Sequence, residues 1–458
     1  MGFMRLSNTL QSFHAPLAGD QQSAVADATL RPNDPSESNV DKPSFTVDQA
    51  ARQITRTGHR WFDANRDGIT QISYSFNKHA RGHTAFNATQ KEQARRSMQS
   101  WEDVANVSFQ EGSRRPEGLL AFSNSTDYEV AFGQYPGQEG KVLINPRFGT
   151  NTNPALHNHG RMTLTHEIGH NLGLLHPGTY NFGNPNYRDH ALYAQDTRAY
   201  SVMSYFDAPE AGKHFNGKLP SAPMMDDIAA AQRVYGANNT TRNSDTTYGF
   251  NSNAGRDYLE LNSRHDTALF CVWDGGGVDT LDFSKYHQNQ TINLRAESFS
   301  DVGGLVGNVS IAKGVTLENA IGGSGHDSII GNQANNVLKG GAGADRLRGA
   351  GGADTFAYDN ASDSTPEYPD QIMDFVTGVD RIDLSNLLGN AGVDALRFVR
   401  RLTGKPGEAI LDYNRTTNLS RLAIDLTGNG RFDFFLKAYG PINVPDIITA
   451  NPGRQRYA

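Results

Sequence analysis

Cysteine is almost absent from this chain: Cys271 is the only one among its 458 residues. An intramolecular disulfide is therefore impossible, and a protein that works outside the cell needs another brace for its fold. Long apolar runs are also absent, so neither a transmembrane helix nor a membrane anchor is expected. The first residues, MGFMRLSNTLQSFHAPLAGDQQ, contain one arginine and no continuous apolar segment, and we expect no Sec signal there.

Charge of one sign is not in large excess either. The formal net charge is −7, which argues against a nucleic-acid partner and suits a protein that binds Ca²⁺ through carboxylates and backbone oxygens. The length predicts more than one domain, each with an ample core. Residues 1–44, which include LRPNDPSESNVDKPS, are polar and are interpreted as a flexible leader.

The sequence does contain a histidine motif, LTHEIGHNLGLLHPG, at residues 164–178. His166 and His170 are four residues apart, so an α-helix places them on one face, one turn apart. His176 can approach the same point only if the helix ends and the chain swings back. Gly173 suits such a stop, because glycine readily adopts left-handed backbone conformations. Three imidazoles that leave a fourth position open are typical of a catalytic zinc site.

Two further features complete the predicted site. Glu167, beside the first histidine, is placed to take a proton from water that zinc acidifies. The segment YSVMSYF, residues 200–206, is interpreted as a Met-turn, with Met203 as an apolar floor beneath the histidines and the Tyr205 phenol oxygen reaching the metal. A surface helix can carry HExxH by chance, but the glycine and the third histidine in register favour zinc.

With these motifs the chain resembles the serralysins, secreted bacterial metzincin proteases of the alkaline-protease type. The resemblance rests on HEIGHNLGLLHPG, SVMSYF, DDIAAAQRVYGAN, YGFNSNAGRD and QSWEDVANVSF, and it extends from about residue 45 to about residue 448. It implies that the three histidines bind zinc and that Glu167 is the general base. It also implies that Tyr205 is a fifth, movable zinc ligand, which swings off the metal and stabilises the tetrahedral intermediate.

The resemblance also implies the fold. An α+β metzincin catalytic domain, a twisted sheet with long helices, is expected at residues 45–240. An all-β domain, a parallel β-roll or β-sandwich, is expected at residues 241–458 and would end in a secretion signal. The leader at residues 1–44 would then be a short propeptide.

The second half contains nine-residue repeats, GGSGHDSII GNQANNVLK GGAGADRLR GAGGADTFA, in strict register from residue 322 to 357. This register is the consensus of RTX proteins, whose parallel β-roll binds Ca²⁺. A Gly-rich flexible linker would not keep it. The eighth position is apolar and is predicted to point inward: Ile329, Leu338, Leu347 and Phe356. The sixth position is predicted to offer a side-chain oxygen to calcium: Asp327, Asn336, Asp345 and Asp354.

The second and fourth positions are predicted to offer backbone carbonyls to calcium: Gly323, Gly325, Asn332, Ala334, Gly341, Gly343, Ala350 and Gly352. Thr316 and Glu318 belong to a degenerate leading turn. On the resemblance, the calcium set extends to Arg242, Ser244, Thr246, Asp274, Gly276, Gly277, Asp279, Asp370 and Asp374. Ala350 replaces a glycine of the consensus, so the last site of the roll is expected to be weak.

Local patterns predict the remaining elements. TVDQAARQITRTG has helical spacing and is expected to stop at Gly58; TQKEQARRSMQSWEDVA is expected to open with a capping box of Thr89 and Glu92. A sheet edge that could bind extended substrate is placed at residues 129–135. The EF-hand-like stretches at 63–68 and 425–430 lack the twelfth-position glutamate and are interpreted as turns. His157, His159 and His190 are left out of the zinc site.

These features predict a secreted, extracellular and monomeric zinc endopeptidase that carries one catalytic Zn²⁺ and several structural Ca²⁺ ions. Its expected partners are protein or peptide substrates, the type I secretion machinery and a proteinaceous protease inhibitor. A calcium-dependent adhesion protein with an inactive protease domain is the alternative from another class, and the intact HExxH argues against it. A processing enzyme with one substrate stays open, because the specificity loops carry no readable code.

Overall fold

The computed structural model describes residues 42–76, 82–114, 116–137, 140–181 and 183–450. Most of the predicted leader and the last residues of the predicted secretion signal lie outside these ranges. The described residues all belong to one compact unit, so the domain boundary near residue 240 stays a prediction. Within the described ranges no helix is both long and apolar enough to span a bilayer.

The first half combines a five-stranded sheet with helices. Its helices are α1 (Val47–Ile54), α2 (Ala88–Glu102), α3 (His159–Asn171), α4 (Tyr187–His190) and α5 (Met225–Tyr235). Its strands are β1 (Thr70–Ser75), β2 (Val107–Glu111), β3 (Gly118–Asn124), β4 (Ala131–Gly133) and β5 (Lys141–Ile144). The sheet order is β2-β1-β3-β5-β4, and only β4 runs antiparallel to its neighbour. β4 is therefore an edge strand, within the edge predicted at residues 129–135.

Two helix boundaries differ from the expectations. The capping box of α2 is formed by Asn87 and Gln90, with hydrogen bonds of 2.8 and 3.0 Å, so the prediction of Thr89 and Glu92 is wrong. Glu92 takes no part in the cap and instead accepts a hydrogen bond from the Arg96 guanidinium, one helical turn later, at 2.8 Å. α1 ends at Ile54, and Gly58 closes the following turn instead of the helix.

The two EF-hand-like stretches are turns. Asp63 accepts the backbone N–H groups of Arg66 and Gly68 at 2.6 and 2.9 Å. Asp425 accepts those of Gly428 and Gly430 at 2.6 and 2.7 Å. In each stretch one aspartate side chain therefore holds the turn by local hydrogen bonds.

The second half is built from short strands in a stacked roll. Among the described residues its strands form two eight-stranded sheets and one three-stranded sheet. Before the repeats, the strands are β6 (Thr247–Phe250), β7 (Glu260–Leu261), β8 (Phe270–Val272), β9 (Thr280–Asp282), β10 (Thr291–Asn293), β11 (Phe299–Ser300), β12 (Val309–Ile311) and β13 (Asn319–Ile321).

The repeats and the segment after them supply the remaining elements. They are β14 (Ser328–Ile330), β15 (Val337–Lys339), β16 (Arg346–Arg348), β17 (Thr355–Ala357), β18 (Asp370–Ile372), β19 (Arg381–Asp383), α6 (Ser385–Ala391), β20 (Arg397–Phe398), β21 (Glu408–Asn414), β22 (Leu419–Asp425), β23 (Phe434–Tyr439) and β24 (Ile447–Ile448). β21, β22 and β23 form an antiparallel meander, and β23 joins it to the roll by pairing with β18.

Alternate repeats lie on opposite sheets of the roll. Ile329 pairs with Leu347 in one sheet, and Leu338 pairs with Phe356 in the other, so each full turn takes two repeats. All four side chains are fully buried, as the eighth position of the repeat predicts. The inward apolar column is the core of the roll.

Gly173 follows the end of α3 in the left-handed region, with φ of +92°. A Cβ atom there would lie 2.0 Å from the carbonyl oxygen of His59, so the turn fits against the first segment of the chain only without a side chain. Gly58 has a similar φ of +72° but has no atom within 4 Å of such a Cβ. A comparison of alanine substitutions at the two glycines therefore distinguishes the cost of the left-handed backbone from the cost of steric overlap.

Gly173→Ala should lower the free energy of unfolding by about 1–2 kcal/mol for the left-handed conformation and by about 1–3 kcal/mol more for the overlap. Gly58→Ala is the control and should show only the loss that comes from the left-handed conformation. Denaturant unfolding of the two variants measures the difference. Equal losses would mean that the contact with His59 does not matter.

Candidate zinc centre and calcium roll

The three histidines of the motif meet at one point. The Nε2 atom of His176 lies 3.1 Å from Nε2 of His166 and 3.0 Å from Nε2 of His170. On the opposite side of each ring, Nδ1 faces a backbone carbonyl oxygen. His166 faces Val202 at 2.9 Å, His170 faces Leu174 at 2.7 Å, and His176 faces Tyr180 at 2.7 Å. Among the described residues this is the one compact group of three side chains able to bind a metal.

This arrangement fits a metal ion. Each Nδ1 must carry the hydrogen that its carbonyl accepts, so each Nε2 presents a lone pair. Burial lowers the pKa of His170 to about 3 and that of His176 to about 4, and it lowers the pKa of His166 as well. The rings are therefore neutral, which is the form that binds zinc. Three lone pairs that point at each other repel unless a cation lies between them.

α3 carries the first two histidines through the interior of the protein. The Asn158 side chain caps its first turn by accepting the backbone N–H of Arg161, and almost every helical residue after it is buried. Met203 lies under this helix: a Cβ atom on Gly169 would be 2.6 Å from the methionine sulfur. The predicted floor thus packs directly against the backbone between the two histidines.

Glu167 faces the cleft from α3. Burial raises the pKa of its carboxyl group to about 8, and a hydrogen bond with the Gly133 backbone limits the rise. Gly133 belongs to the edge strand β4, and a Cβ atom there would lie 2.8 Å from the glutamate Oε2. The edge strand and the proposed base are therefore in contact.

Tyr205 stands on the other side of the histidines. Its ring centroid lies 4.4 Å from that of His176 and 5.9 Å from that of His166. Its hydroxyl group is 3.4 Å from the carbonyl oxygen of Asn181. Burial raises the phenol pKa, so the hydroxyl keeps its proton and can donate a hydrogen bond.

A cleft of about 520 Å³ opens over this group. Besides the residues predicted for the zinc site and for the edge at 129–135, it is lined by side chains that sequence reasoning missed, namely Tyr128, Met162, Thr163 and Arg198. No spacing rule would have found them, because they come from several separate segments. His159 also lines the cleft, with Nδ1 3.1 Å from the Thr163 hydroxyl; His157 is buried away from it and His190 is exposed on α4.

The predicted calcium side chains form two buried columns in the roll. In the first, the backbone N–H of Asp327 donates to Asp345, and that of Asp345 donates to Asp370, each at 2.8 Å. In the second, Asn336 donates to Asp354 at 2.8 Å and Asp354 to Asp380 at 3.0 Å. The sequence analysis missed this last carboxylate, because it lies outside the nine-residue register.

The columns concentrate negative charge away from water. Burial raises the pKa of Asp345 to about 8 and that of Asp354 to about 6. The second carboxylate oxygen of Asp345 is buried and has no hydrogen-bond partner. Glycines at the first repeat position make room for these groups: a Cβ atom on Gly340 would lie 2.1 Å from that oxygen. Buried oxygens of this kind suit Ca²⁺.

A second group of predicted calcium residues lies where the two halves meet. The Thr246 backbone donates to Asp279 at 2.8 Å, and the Asp279 backbone donates to Glu318 at 2.8 Å. Asp274 belongs to the same loop, and Gly277 lies close against Ser244. The Arg242 guanidinium pairs with Asp103 at 2.9 Å.

The other predicted calcium residues lie around these groups. Asp374 accepts the backbone N–H of Ala350 at 3.0 Å. Ala350 has a φ of +71°, the left-handed conformation that glycine favours. The second- and fourth-position residues lie at the turns, Gly276 donates its N–H to Asp274, and Thr316 is exposed.

Comparisons with known proteins agree with this geometry. The family model described as "Peptidase M10 serralysin C terminal" matches residues 237–449. The chain is 49% identical to the metalloprotease AprA of Pseudomonas entomophila, over 93% of this chain and 99% of that protein. It is 47% identical to serralysin C of Dickeya chrysanthemi, over 88% and 90% of the two chains, and 44% identical to a serralysin of Photorhabdus luminescens, over 90% and 92%. The chain belongs to the serralysin family and is a zinc metalloendopeptidase.

Proposed function

We propose that this chain is a secreted endopeptidase in which residues 45–240 carry the catalysis and residues 241–458 bind calcium and carry the export signal. The observation that carries the catalytic part is the convergence of three neutral imidazoles beside Glu167, at the floor of a cleft bordered by an edge strand. His166, His170 and His176 would hold the zinc ion. When bound, zinc would act as a Lewis acid that lowers the pKa of water and polarises a carbonyl group.

The substrate binds along β4. This strand pairs with β5 on one side only, so its outer backbone N–H and C=O groups are available to an extended peptide. Because Gly133 contacts Glu167, a peptide on that strand passes over the proposed base. Side-chain preferences then depend on the walls of the cleft.

Glu167 and Tyr205 divide the chemistry between them. Glu167 accepts the proton of the attacking water and passes it to the nitrogen of the leaving amine; its raised pKa makes both transfers accessible near neutral pH. Tyr205 keeps its phenolic proton and donates a hydrogen bond to the oxygen on which negative charge develops. Both groups line the same cleft and would act on the same bond.

Calcium is proposed to complete the roll. Asp327, Asp345 and Asp370 are buried and follow one another along the first column, so their charges repel without a cation. A roll of short strands with one inward apolar side chain each cannot offset a backbone ordering cost of about 1–2 kcal/mol per residue by burial alone. Calcium would therefore couple folding to the high calcium level outside the cell.

Glu167→Ala should retain zinc and lose at least about a hundredfold in kcat, because the ligands survive and the proton acceptor does not. Casein hydrolysis and metal analysis of the same preparation measure the two effects. Asp189→Ala, an exposed carboxylate on α4, is the control and should behave as wild type. Turnover near the wild-type rate in zinc-loaded Glu167→Ala protein would refute the role of the base.

Asp345→Ala should raise the calcium concentration at half-maximal folding by about tenfold, equivalent to about 1.4 kcal/mol, without changing zinc content. Circular dichroism during a calcium titration measures the midpoint. Asp359→Ala removes a carboxylate of the roll that pairs with Lys339 outside both columns, and its midpoint should stay close to wild type. An unshifted Asp345→Ala midpoint would mean that calcium is not held by the columns.

Deleting residues 390–458 should keep the protein out of the medium in cells that carry a type I secretion channel, because the proposed export signal is lost. Immunoblotting of medium and cells measures export independently of activity. Full-length Glu167→Ala protein is the control and should be exported normally. Undiminished export of the truncated chain would show that the signal lies elsewhere.

A further inference from the structure

Asp196 is a buried carboxylate that the mechanism above does not use. It lies between the third histidine and the Met-turn in sequence, and it is fully shielded from solvent. Its Oδ1 atom accepts two hydrogen bonds, from the Tyr180 hydroxyl and from the Ser204 hydroxyl, each at 2.7 Å. Each donor belongs to a segment that carries a residue of the catalytic site.

The Tyr180 contact leads to the third histidine. The Tyr180 carbonyl oxygen faces Nδ1 of His176 at 2.7 Å, and the two rings stack, with centroids 5.3 Å apart and planes 14° apart. A Cβ atom on Gly178 would lie 2.4 Å from the tyrosine ring, so the chain folds back tightly at this point. Fixing the Tyr180 hydroxyl therefore fixes the orientation of the His176 imidazole.

The Ser204 contact leads to the catalytic tyrosine. Ser204 directly precedes Tyr205 in the chain. Its hydroxyl oxygen also accepts the backbone N–H of Phe206, the residue after Tyr205, at 3.1 Å. The Tyr205 ring in turn lies 5.0 Å from the Tyr180 ring. One carboxylate oxygen thus ties together the segments on which Tyr205 and His176 are carried.

We propose that Asp196 is a positioning residue that sets the distance between Tyr205 and His176 by holding Tyr180 and Ser204 on one oxygen atom. It touches neither substrate nor metal and acts through these two hydroxyl groups. The proposal rests on the proposed role of Tyr205 for its effect on turnover. Its effect on zinc retention depends only on His176, because an imidazole that loses its backing carbonyl binds metal less firmly.

Two substitutions separate the hydrogen bonds from the space that the side chain fills. Asp196→Ala removes the acceptor of both hydroxyls. Asp196→Asn keeps an Oδ1 acceptor, and its amide takes the place of Oδ2, an oxygen that has no hydrogen-bond partner. Asp226→Asn is the control, since Asp226 is equally buried with an unpaired Oδ2 but has no hydrogen bond to Tyr180, Ser204 or a zinc-binding histidine.

Turnover and zinc release are measured on the full-length, calcium-loaded protein. Asp196→Ala should lower kcat at least tenfold with KM within about twofold, and zinc release to a chelator should be about tenfold faster or more. Asp196→Asn should recover most of both losses. The double variant Asp196→Ala/Tyr205→Phe should have the kcat of Tyr205→Phe alone, because both changes remove the same contact.

Other outcomes overturn the proposal. Losses in kcat that multiply in the double variant would mean that Asp196 does not act through Tyr205. Zinc release as fast in Asp226→Asn as in Asp196→Ala would mean that any lost buried carboxylate loosens the site. Unchanged kcat in Tyr205→Phe alone would refute the role of Tyr205, and the zinc-release comparison would still decide whether Asp196 holds His176.

Two milder variants serve if Asp196→Ala does not fold. Tyr180→Phe and Ser204→Ala each remove one of the two donors and keep the carboxylate. Tyr180→Phe should mainly speed zinc release, and Ser204→Ala should mainly lower kcat. If both variants changed zinc release and kcat to the same extent, the separate roles proposed for Tyr180 and Ser204 would be refuted.

Discussion

The Nε2 lone pairs of His166, His170 and His176 converge within about 3 Å, and the fold has to hold them together against their mutual repulsion. A backbone carbonyl fixes each ring by accepting a hydrogen bond from Nδ1, on the far side of the ring from Nε2, and burial keeps each ring neutral. The three carbonyls belong to three different turns, at Val202, Leu174 and Tyr180. The position of every one of those turns is therefore a condition for the metal site.

That requirement accounts for much of the packing around α3. The glycine after the helix lets the chain pass under the His59 carbonyl, and the glycine between the first two histidines admits the sulfur of Met203. The Met-turn is held from below by Asp227, which accepts the Ser201 hydroxyl and the Val202 backbone N–H at 2.6 Å each. Buried polar groups around the centre thus act on the ligands through backbone atoms.

The roll presents a similar physical problem, with carboxyl groups in place of imidazole lone pairs. Asp327 and Asp345 are brought together in the first column and Asn336 and Asp354 in the second, held by backbone N–H groups in a space that only glycine leaves open. On the function proposed above, groups that repel one another are preassembled around a place for a cation in both halves.

The family, the set of three histidines and the inward column of the repeats were predictable from the sequence, because each has a characteristic spacing of residues. The four-residue spacing on a helix and the nine-residue register of the roll need no knowledge of distant segments. The start of a helix is less well defined by sequence. Asn87 caps α2 where Thr89 was expected, because both residues fit a capping box and only the first residue of the helix decides between them. The tertiary structure alone decided that Gly133 touches Glu167, that Asp380 extends a column and that Asp196 joins Tyr180 to Ser204. Those contacts join segments far apart in the chain or outside its repeat, where hydrogen bonds and close packing obey distance in space and leave no period in the sequence.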